Sequence, residues 1–341
     1  MQPHSSPCKD DGFACAKTRE GFDLPVIDVT NPRFAVPDDP AAVRGLHDAI
    51  IEGERRQRRI PSFIMRMMLR AAARKSRLVR TFCDSDAGFL DGMSTYVMKL
   101  GADNLVPPYD TPTDRRVAAS PHVLLMRLRM QQIAHLMAEG IADDLATAGA
   151  AARLSLINIG GGPALDSINA LIVLRRVRPD LLNRRIVIEV LDSDRDGAFF
   201  GANALAALKA DQGPLAGLDI GMQHHDYHWD RPALLESLVG KLTSAGTIIA
   251  ASSEGALFEY GSDEAIVANL KMLHANGAGV RFVAGSVTCA DETRRRMIAE
   301  TRFKLIPRGI AGFTPLAAQA GLRIAKAQSA LLSAQVLLRA L

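Results

Sequence analysis

Leu156-Ile157-Asn158-Ile159-Gly160-Gly161-Gly162-Pro163-Ala164 is a short apolar run that breaks into three glycines and a proline. An apolar stretch ending in glycines, followed by an apolar-periodic segment, reads as strand, tight turn and helix. Glycine at such a turn lets backbone N–H groups approach a ligand closely, and the N-terminus of the next helix favours negative charge. Pro163 is expected at the first helical position, where its missing N–H costs nothing. A dinucleotide fingerprint needs a further glycine three residues after the second, for close helix–strand packing, and that position holds Leu165.

Two more runs extend the pattern. Ile186 to Leu191 reads as a second strand and ends in Asp192-Ser193-Asp194. A carboxylate at that point can accept both hydroxyls of a ribose. Leu218 to Gln223 reads as a third strand, leading into His224-His225-Asp226-Tyr227-His228-Trp229, where an acid beside aromatic rings can take an adenine amino group. Thr247 to Ser253 is a fourth strand, Glu254 to Gly261 a loop, and Val280 to Val287 a fifth strand. Between the last two, Asp263 to His274 reads as a helix capped by Ser262 and stopping near Asn276-Gly277. Phe313 to Gly321 is a further helix, and Leu322 to Leu341 reads as a strand pair that periodicity alone does not separate from one helix.

Glycine turn, ribose acid and adenine acid in this order resemble the class I S-adenosylmethionine-dependent methyltransferase family, over residues 150–341. The resemblance implies an α/β fold: a seven-strand Rossmann-like doubly wound sheet over 151–341, its last strand antiparallel, preceded by a mainly helical domain over 1–150. It implies S-adenosyl-L-methionine as cofactor, held by Asn158, Gly160, Gly161, Gly162, Asp192, Ser193, Asp226 and Tyr227. It implies methyl transfer to a small-molecule acceptor, oxygen being favoured over nitrogen. Two departures stand out: Asn158 replaces the family's usual acid, and the gap from Gly160 to Asp192 is long.

For a hydroxyl acceptor a general base helps, and it should sit near the ends of the fourth and fifth strands. Glu254 is the first candidate, followed by His225 or His228. Tyr260, Tyr96 and Trp229 are expected to line the acceptor pocket, since aromatic residues are scarce and ligands bind beyond the carboxyl ends of strands. No metal is expected, because adjacent histidines on a strand point to opposite faces. Three alternatives remain: an NAD(P)-dependent oxidoreductase, a non-catalytic binding protein, and an enzyme transferring the aminopropyl part of the same cofactor. Leu165 and the lack of a Ser-Tyr-x-x-x-Lys run speak against the first, and Asn158 would suit the second. The absence of an Asn/Asp-Pro-Pro-Tyr/Phe run after the fourth strand argues against methylation of nucleic-acid bases.

With 341 residues, 48% of them hydrophobic, the chain can bury one large core or two. A net charge of +4 does not by itself imply nucleic acid. The sequence displays neither a membrane span nor a secretory signal, and Cys8, Cys15, Cys83 and Cys289 follow no metal or disulfide spacing, so a reduced, cytoplasmic protein is expected. The first 40 or so residues, rich in Pro, Asp and Ser, suggest a loosely packed leader. Pro40 to Ala148 is helical in pattern, broken at Ile60-Pro61, Asp84 to Gly88, Pro107-Pro108 and Pro112. Within it, Ser120 and Pro121 open a helix running to Gly140. Such a domain supplies a substrate lid or a homodimer interface. Arg55 to Arg80 carries ten cations and no acid. With only Phe63 and Phe82 nearby, a solvated arginine face paired with Asp84, Asp86 and Asp91 is preferred to a nucleic-acid or membrane surface.

Overall fold

A computed structural model describes residues 13–341 apart from 58–59, 85–87, 89–90, 150, 275–279, 293, 296–297 and 299–302. Its centre is a seven-stranded sheet. The strands are β3 (Leu154–Ile159), β4 (Ile186–Leu191), β5 (Ile220–His225), β6 (Ile248–Ser253), β7 (Val280–Thr288), β8 (Leu322–Ala330) and β9 (Ser333–Ala340), in the order β5-β4-β3-β6-β7-β9-β8. The strands β5-β4-β3-β6-β7 pair in parallel, and β9 runs antiparallel to both β7 and β8. The sheet reverses between β3 and β6, the point at which ligands bind in open α/β sheets.

Alternation along the strands divides the core into two layers. Leu154, Leu156, Ile186, Ile188, Val190 and Ala250 pack with residues of α6 (Pro121–Ala146), α7 (Leu165–Val177) and α8 (Arg195–Lys209). Ile157, Ile159, Leu191, Ile249 and Ala251 face the other way. They meet α9 (Ala233–Ser244), α11 (Asp263–His274) and α12 (Gly309–Gln319). Burial on both sides explains why β3 and β6 are continuous apolar-and-small runs rather than alternating ones. The doubly wound sheet matches the expected fold class.

The rest of the helical region comprises α1 (Pro40–Gln57), α2 (Ser62–Ala73), α3 (Arg77–Asp84), α4 (Gly92–Leu100) and α5 (Pro112–Ala118), with α10 (Leu257–Tyr260) following β6. Asp91 caps α4, Thr111 and Asp114 form a capping box on α5, and Ser120 caps α6, which runs on past Gly140 to Ala146. Leu78 of α3, Tyr96, Val97, Met98 and Leu100 of α4, Ala118 of α5 and one face of α6 share a core with the sheet. Ile50 of α1 instead packs with Leu125 and Leu128 of α6 in a smaller cluster, and Leu257 and Phe258 of α10 belong to the α9–α11 layer.

Several expectations need correction. Pro163 does not open α7. Gly162 and Ala164 take positive φ (51° and 55°), and the helix begins two residues later than the proline, at Leu165. The third sheet strand continues through His225, so His224 and His225 are strand residues. The segment after β6 contains a helical turn, α10, rather than only a loop. The end of the Ser262-capped helix near Asn276-Gly277 lies outside the described residues; its start is as expected, with Ser262 Oγ accepting from the Ala265 N–H at 3.1 Å.

The leader is not loose from residue 13 onward; residues 1–12 lie outside the described residues. Strands β1 (Cys15–Lys17) and β2 (Asp23–Pro25) form an antiparallel hairpin, and Leu24, Val26, Ile27, Val29 and Phe34 are core residues. The strap is fastened by side chains from three helices. Tyr96 bridges Pro25 O and Ile27 N, Asn169 bonds Ile27 O and Val29 N, and Gln131 bonds both backbone groups of Val36. Cys15 is disulfide-bonded, against the expectation of four free thiols, with its partner outside the described residues; Cys83 and Cys289 are free.

In the basic stretch Leu78 is buried, but Phe63, Met67, Met68 and Leu69 of α2 stand exposed instead of covering a packed face. Arg77 pairs with Glu20 rather than with the acids that follow, Asp91 is engaged in its cap, and Asp86 lies outside the described residues. Among the described residues no helix is long and apolar enough to cross a membrane.

Candidate active site

The glycine turn lies at the carboxyl end of β3. Gly160 has φ +68, and a Cβ there would come within 2.6 Å of the Ala256 Cβ and 3.1 Å of the Trp229 ring. A Cβ on Gly162 would stand 3.1 Å from the Cα of Gly92, the first residue of α4. Only glycine permits these approaches, so the helical region closes over the turn from one side and Trp229 from the other. Gly92 N–H donates to Asp194 Oδ2 at 2.9 Å, tying α4 to the segment after β4.

Asp192 sits directly beside the turn. Its Oδ2 accepts from Gly162 N–H at 2.7 Å and its Oδ1 from Asp194 N–H at 2.8 Å. A carboxylate has about four acceptor positions, so two remain for a ligand's hydroxyl groups. Burial pushes its pKa upward. Asp194 caps α8 through Asp196 and Gly197 N–H groups. Ser193 is exposed, and Asp226, just past β5, is exposed and paired with Arg195 at 2.9 Å.

Asn158 does not reach outward. Its side chain is buried and donates to Asp166 Oδ1 (2.6 Å) and Ser252 Oγ (3.2 Å). The acid missing from position 158 is thus supplied eight residues later, from the first turn of α7. Asp166 also accepts from the Ser167 N–H, and its Oδ2 has no protein partner. Burial, with Glu254 nearby, pushes its pKa up to about 6.

Beyond β6 the chain builds a buried ionic cluster. Glu254 receives Lys99 Nζ of α4 and, at 2.5 Å, Arg129 Nε of α6, while Arg129 Nη1 bonds both oxygens of Glu259 at 3.1 and 2.9 Å. The two cations beside Glu254 outweigh its burial and hold its pKa down to about 2. Gly255, at φ +73, lies against the Arg129 guanidinium and donates its N–H to Ser286 Oγ of β7 at 2.8 Å.

The other candidates fall into place by their partners. His225 Nε2 bonds the buried Glu189 at 2.7 Å, and His224 Nε2 lies 2.7 Å from Asp192 O, so both rings are engaged on the β4–β5 side, away from β6 and β7. His228 is exposed, 3.4 Å from Asp230. Tyr227 is a core residue of the α9–α11 layer, its hydroxyl donating to Asn269. Tyr96 is fully buried against Phe200, its hydroxyl bound into the N-terminal strap, which rules out contact with an acceptor. Trp229 stands at the glycine turn. Tyr260, on α10, lies near Arg129 and Arg294, and burial raises its pKa strongly. Among the described residues no group of three metal-ligating side chains converges.

The residues that sequence reasoning missed are Gly92, Asp166, Lys99, Arg129 and Glu259. Asp166 carried a faint signal, being an acid in the first turn of the helix after the glycines, and Glu259 lies five residues past Glu254 in the segment read as a loop; Gly92, Lys99 and Arg129 come from distant segments.

No family model matches the sequence, nor does any curated protein. Among solved structures, TnmH is 17% identical, with 68% of this chain aligned to 62% of that one at a TM-score of 0.37. The mitomycin 7-O-methyltransferase MmcR is 13% identical over 65% of this chain and 57% of its own, at 0.37. Magnesium protoporphyrin IX methyltransferase ChlM from Synechocystis PCC 6803, with SAH bound, is 11% identical over 64% of this chain and 87% of its own, at 0.40. The chain therefore spans less than two thirds of the length of TnmH and MmcR.

Proposed function

We propose that the chain is an S-adenosyl-L-methionine-dependent methyltransferase acting on a small molecule, with an oxygen acceptor favoured over nitrogen. The observation that carries this reading is the coupling of the Gly160–Gly162 turn to Asp192, whose carboxylate is fixed by the turn's own Gly162 N–H. Turn and acid stand at the carboxyl ends of β3 and β4, with open acceptor positions toward a ribose. The residues fit the cofactor in their donor set, since the Asp192 carboxylate keeps two acceptor positions beside those used by the Gly162 and Asp194 N–H groups, which suits a ribose diol. When bound, the cofactor supplies an electrophilic methyl group on a sulfonium leaving group.

The chain's residues then bind, orient and seal. Gly160, Gly161 and Gly162 give the close approach, Asp192 holds the ribose hydroxyls, and Asp226 takes the adenine side while Trp229 packs beside it. Asn158 and Asp166 brace the turn from below through Ser252. Gly92 closes α4 over the turn and excludes water. Glu254 is better suited to holding the fourth-strand loop than to taking a proton: a carboxylate with pKa about 2 and two bound cations is a weak base. His225, held by Glu189 on the far side of the sheet reversal, is likewise a positioning residue for the β4–β5 edge. Tyr260 faces the acceptor side, whereas Tyr96 and Tyr227 belong to the core.

Leu165 is buried in the core where a dinucleotide fold would place glycine, which disfavours NAD(P). Binding of S-adenosylhomocysteine to the purified chain, and its loss in Asp192→Ala, tests the reading. Binding of NAD instead refutes it.

A further inference from the structure

Among the described residues, a cation without a counter-charge of its own lies on the acceptor side of the site. Arg294 follows β7 and is anchored by its backbone N–H, which donates to Asp291 Oδ1 at 2.8 Å. Its side chain is half-buried: burial lowers the guanidinium pKa, and Nε is shut from solvent with no hydrogen-bond partner. The charged groups described around it are Glu259, Arg129 and Asp291. Glu259 gives both oxygens to Arg129, and Asp291 is exposed and bonded to backbone. Cys289, Tyr260 and His122 also stand near it. Burial keeps the Cys289 thiol neutral, its pKa raised to about 11, and the Tyr260 hydroxyl likewise. Burial and Arg294 itself keep His122 below the usual histidine range.

The position of this spot matters. Arg129 lies against Gly255, whose neighbour Ala256 packs on Gly160 of the glycine turn. Arg294 therefore stands beyond the carboxyl ends of β6 and β7, on the side of the turn away from Asp192. A buried charge left unpaired is costly, and an arginine fork matches a carboxylate through two parallel hydrogen bonds.

We infer that Arg294 receives a carboxylate carried by the methyl acceptor, so that the substrates are small carboxylic acids. This rests on the methyltransferase reading of the site. Arg294 acts as a specificity residue that orients the acceptor, with Tyr260 and His122 as neutral walls.

The test is calorimetry on the full chain saturated with S-adenosylhomocysteine, titrated with acetate and benzoate, with the neutral acetamide and benzamide, and with inorganic phosphate. At least one carboxylate is expected to bind about tenfold or more tighter than its amide, and Arg294→Met should lose that preference. Arg294→Lys should keep part of it. S-adenosylhomocysteine affinity should be the same in all three proteins, and the ligand-free Arg294→Met protein should melt no lower than wild type, since an uncompensated buried charge is removed. Equal binding of acid and amide, no carboxylate binding to wild type, or unchanged carboxylate affinity in Arg294→Met overturns the inference. Phosphate binding tighter than both carboxylates overturns the substrate class. Should S-adenosylhomocysteine fail to bind while carboxylate binding still depends on Arg294, the methyltransferase reading falls and the anion site stands.

Discussion

Asp166 makes a stability prediction whose sign is unusual for a carboxylate. Its folded pKa of about 6 lies above the ordinary value of 3.8, because it is wholly buried beside Glu254. Folding therefore favours the protonated form. The contribution is fully present below the unfolded pKa and is lost as pH rises through about 6. At about 1.36 kcal/mol per pKa unit the full effect is about 3 kcal/mol, of which about 1.4 kcal/mol falls between about pH 5 and pH 8. Asp166→Asn keeps an oxygen for the Asn158 and Ser167 donors and removes the charge. The new amide nitrogen takes the place of the partnerless Oδ2, which costs about 1–3 kcal/mol at every pH. Urea unfolding of both proteins at about pH 5 and about pH 8 separates the two effects. The stability of the Asp166→Asn protein relative to wild type should rise by about 1 kcal/mol or more between those conditions. A pH-independent difference would refute the assignment of a raised pKa to this buried acid.

Glu254 should behave in the opposite way. Its folded pKa of about 2 lies below 4.5, so its contribution is present above pH 4.5 and is lost as pH falls through about 2. Glu254→Gln removes the negative charge that Lys99 and Arg129 share and sets an amide NH2 against one of them, and should cost about 3–5 kcal/mol in unfolding at neutral pH; an unchanged melting temperature contradicts the cluster. Gly160→Ala should weaken S-adenosylhomocysteine binding in calorimetry and cost about 1–2 kcal/mol or more of stability, because φ is +68 and the Cβ meets Ala256 at 2.6 Å. Tyr96→Phe should lower stability by about 1–3 kcal/mol by freeing Ile27 N and Pro25 O, while leaving cofactor affinity intact; a loss of affinity alone would return Tyr96 to the ligand site.

The sheet was legible in the sequence because its inner strands are buried on both faces and so read as unbroken apolar runs between glycines and acids. The Gly160–Gly162 turn and Asp192 followed from that register. The N-terminal strap was not legible: Leu24, Val26, Ile27 and Phe34 lie among Pro and Asp residues, and their burial depends on Tyr96, Asn169 and Gln131 from far along the chain. Glu254 was placed correctly at the end of β6, but its charge state is set by Lys99 and Arg129, which no local pattern connects to it. Likewise the tyrosines beside the motif and in the helical region read as pocket residues, because scarcity of aromatics says nothing about which way a ring faces. Tyr227 turns toward Asn269 and Tyr96 toward Pro25.

The central claim is that the turn and Asp192 form a site for the adenosyl sulfonium cofactor. Calorimetric titration of the chain with S-adenosylmethionine and S-adenosylhomocysteine, with NAD alongside and with Asp192→Ala as the paired variant, tests it most directly. Both sulfur compounds should bind at about micromolar dissociation constants, about tenfold or more weaker in the variant, and NAD should not bind. Binding of NAD alone, or sulfur-compound binding indifferent to Asp192, would contradict it.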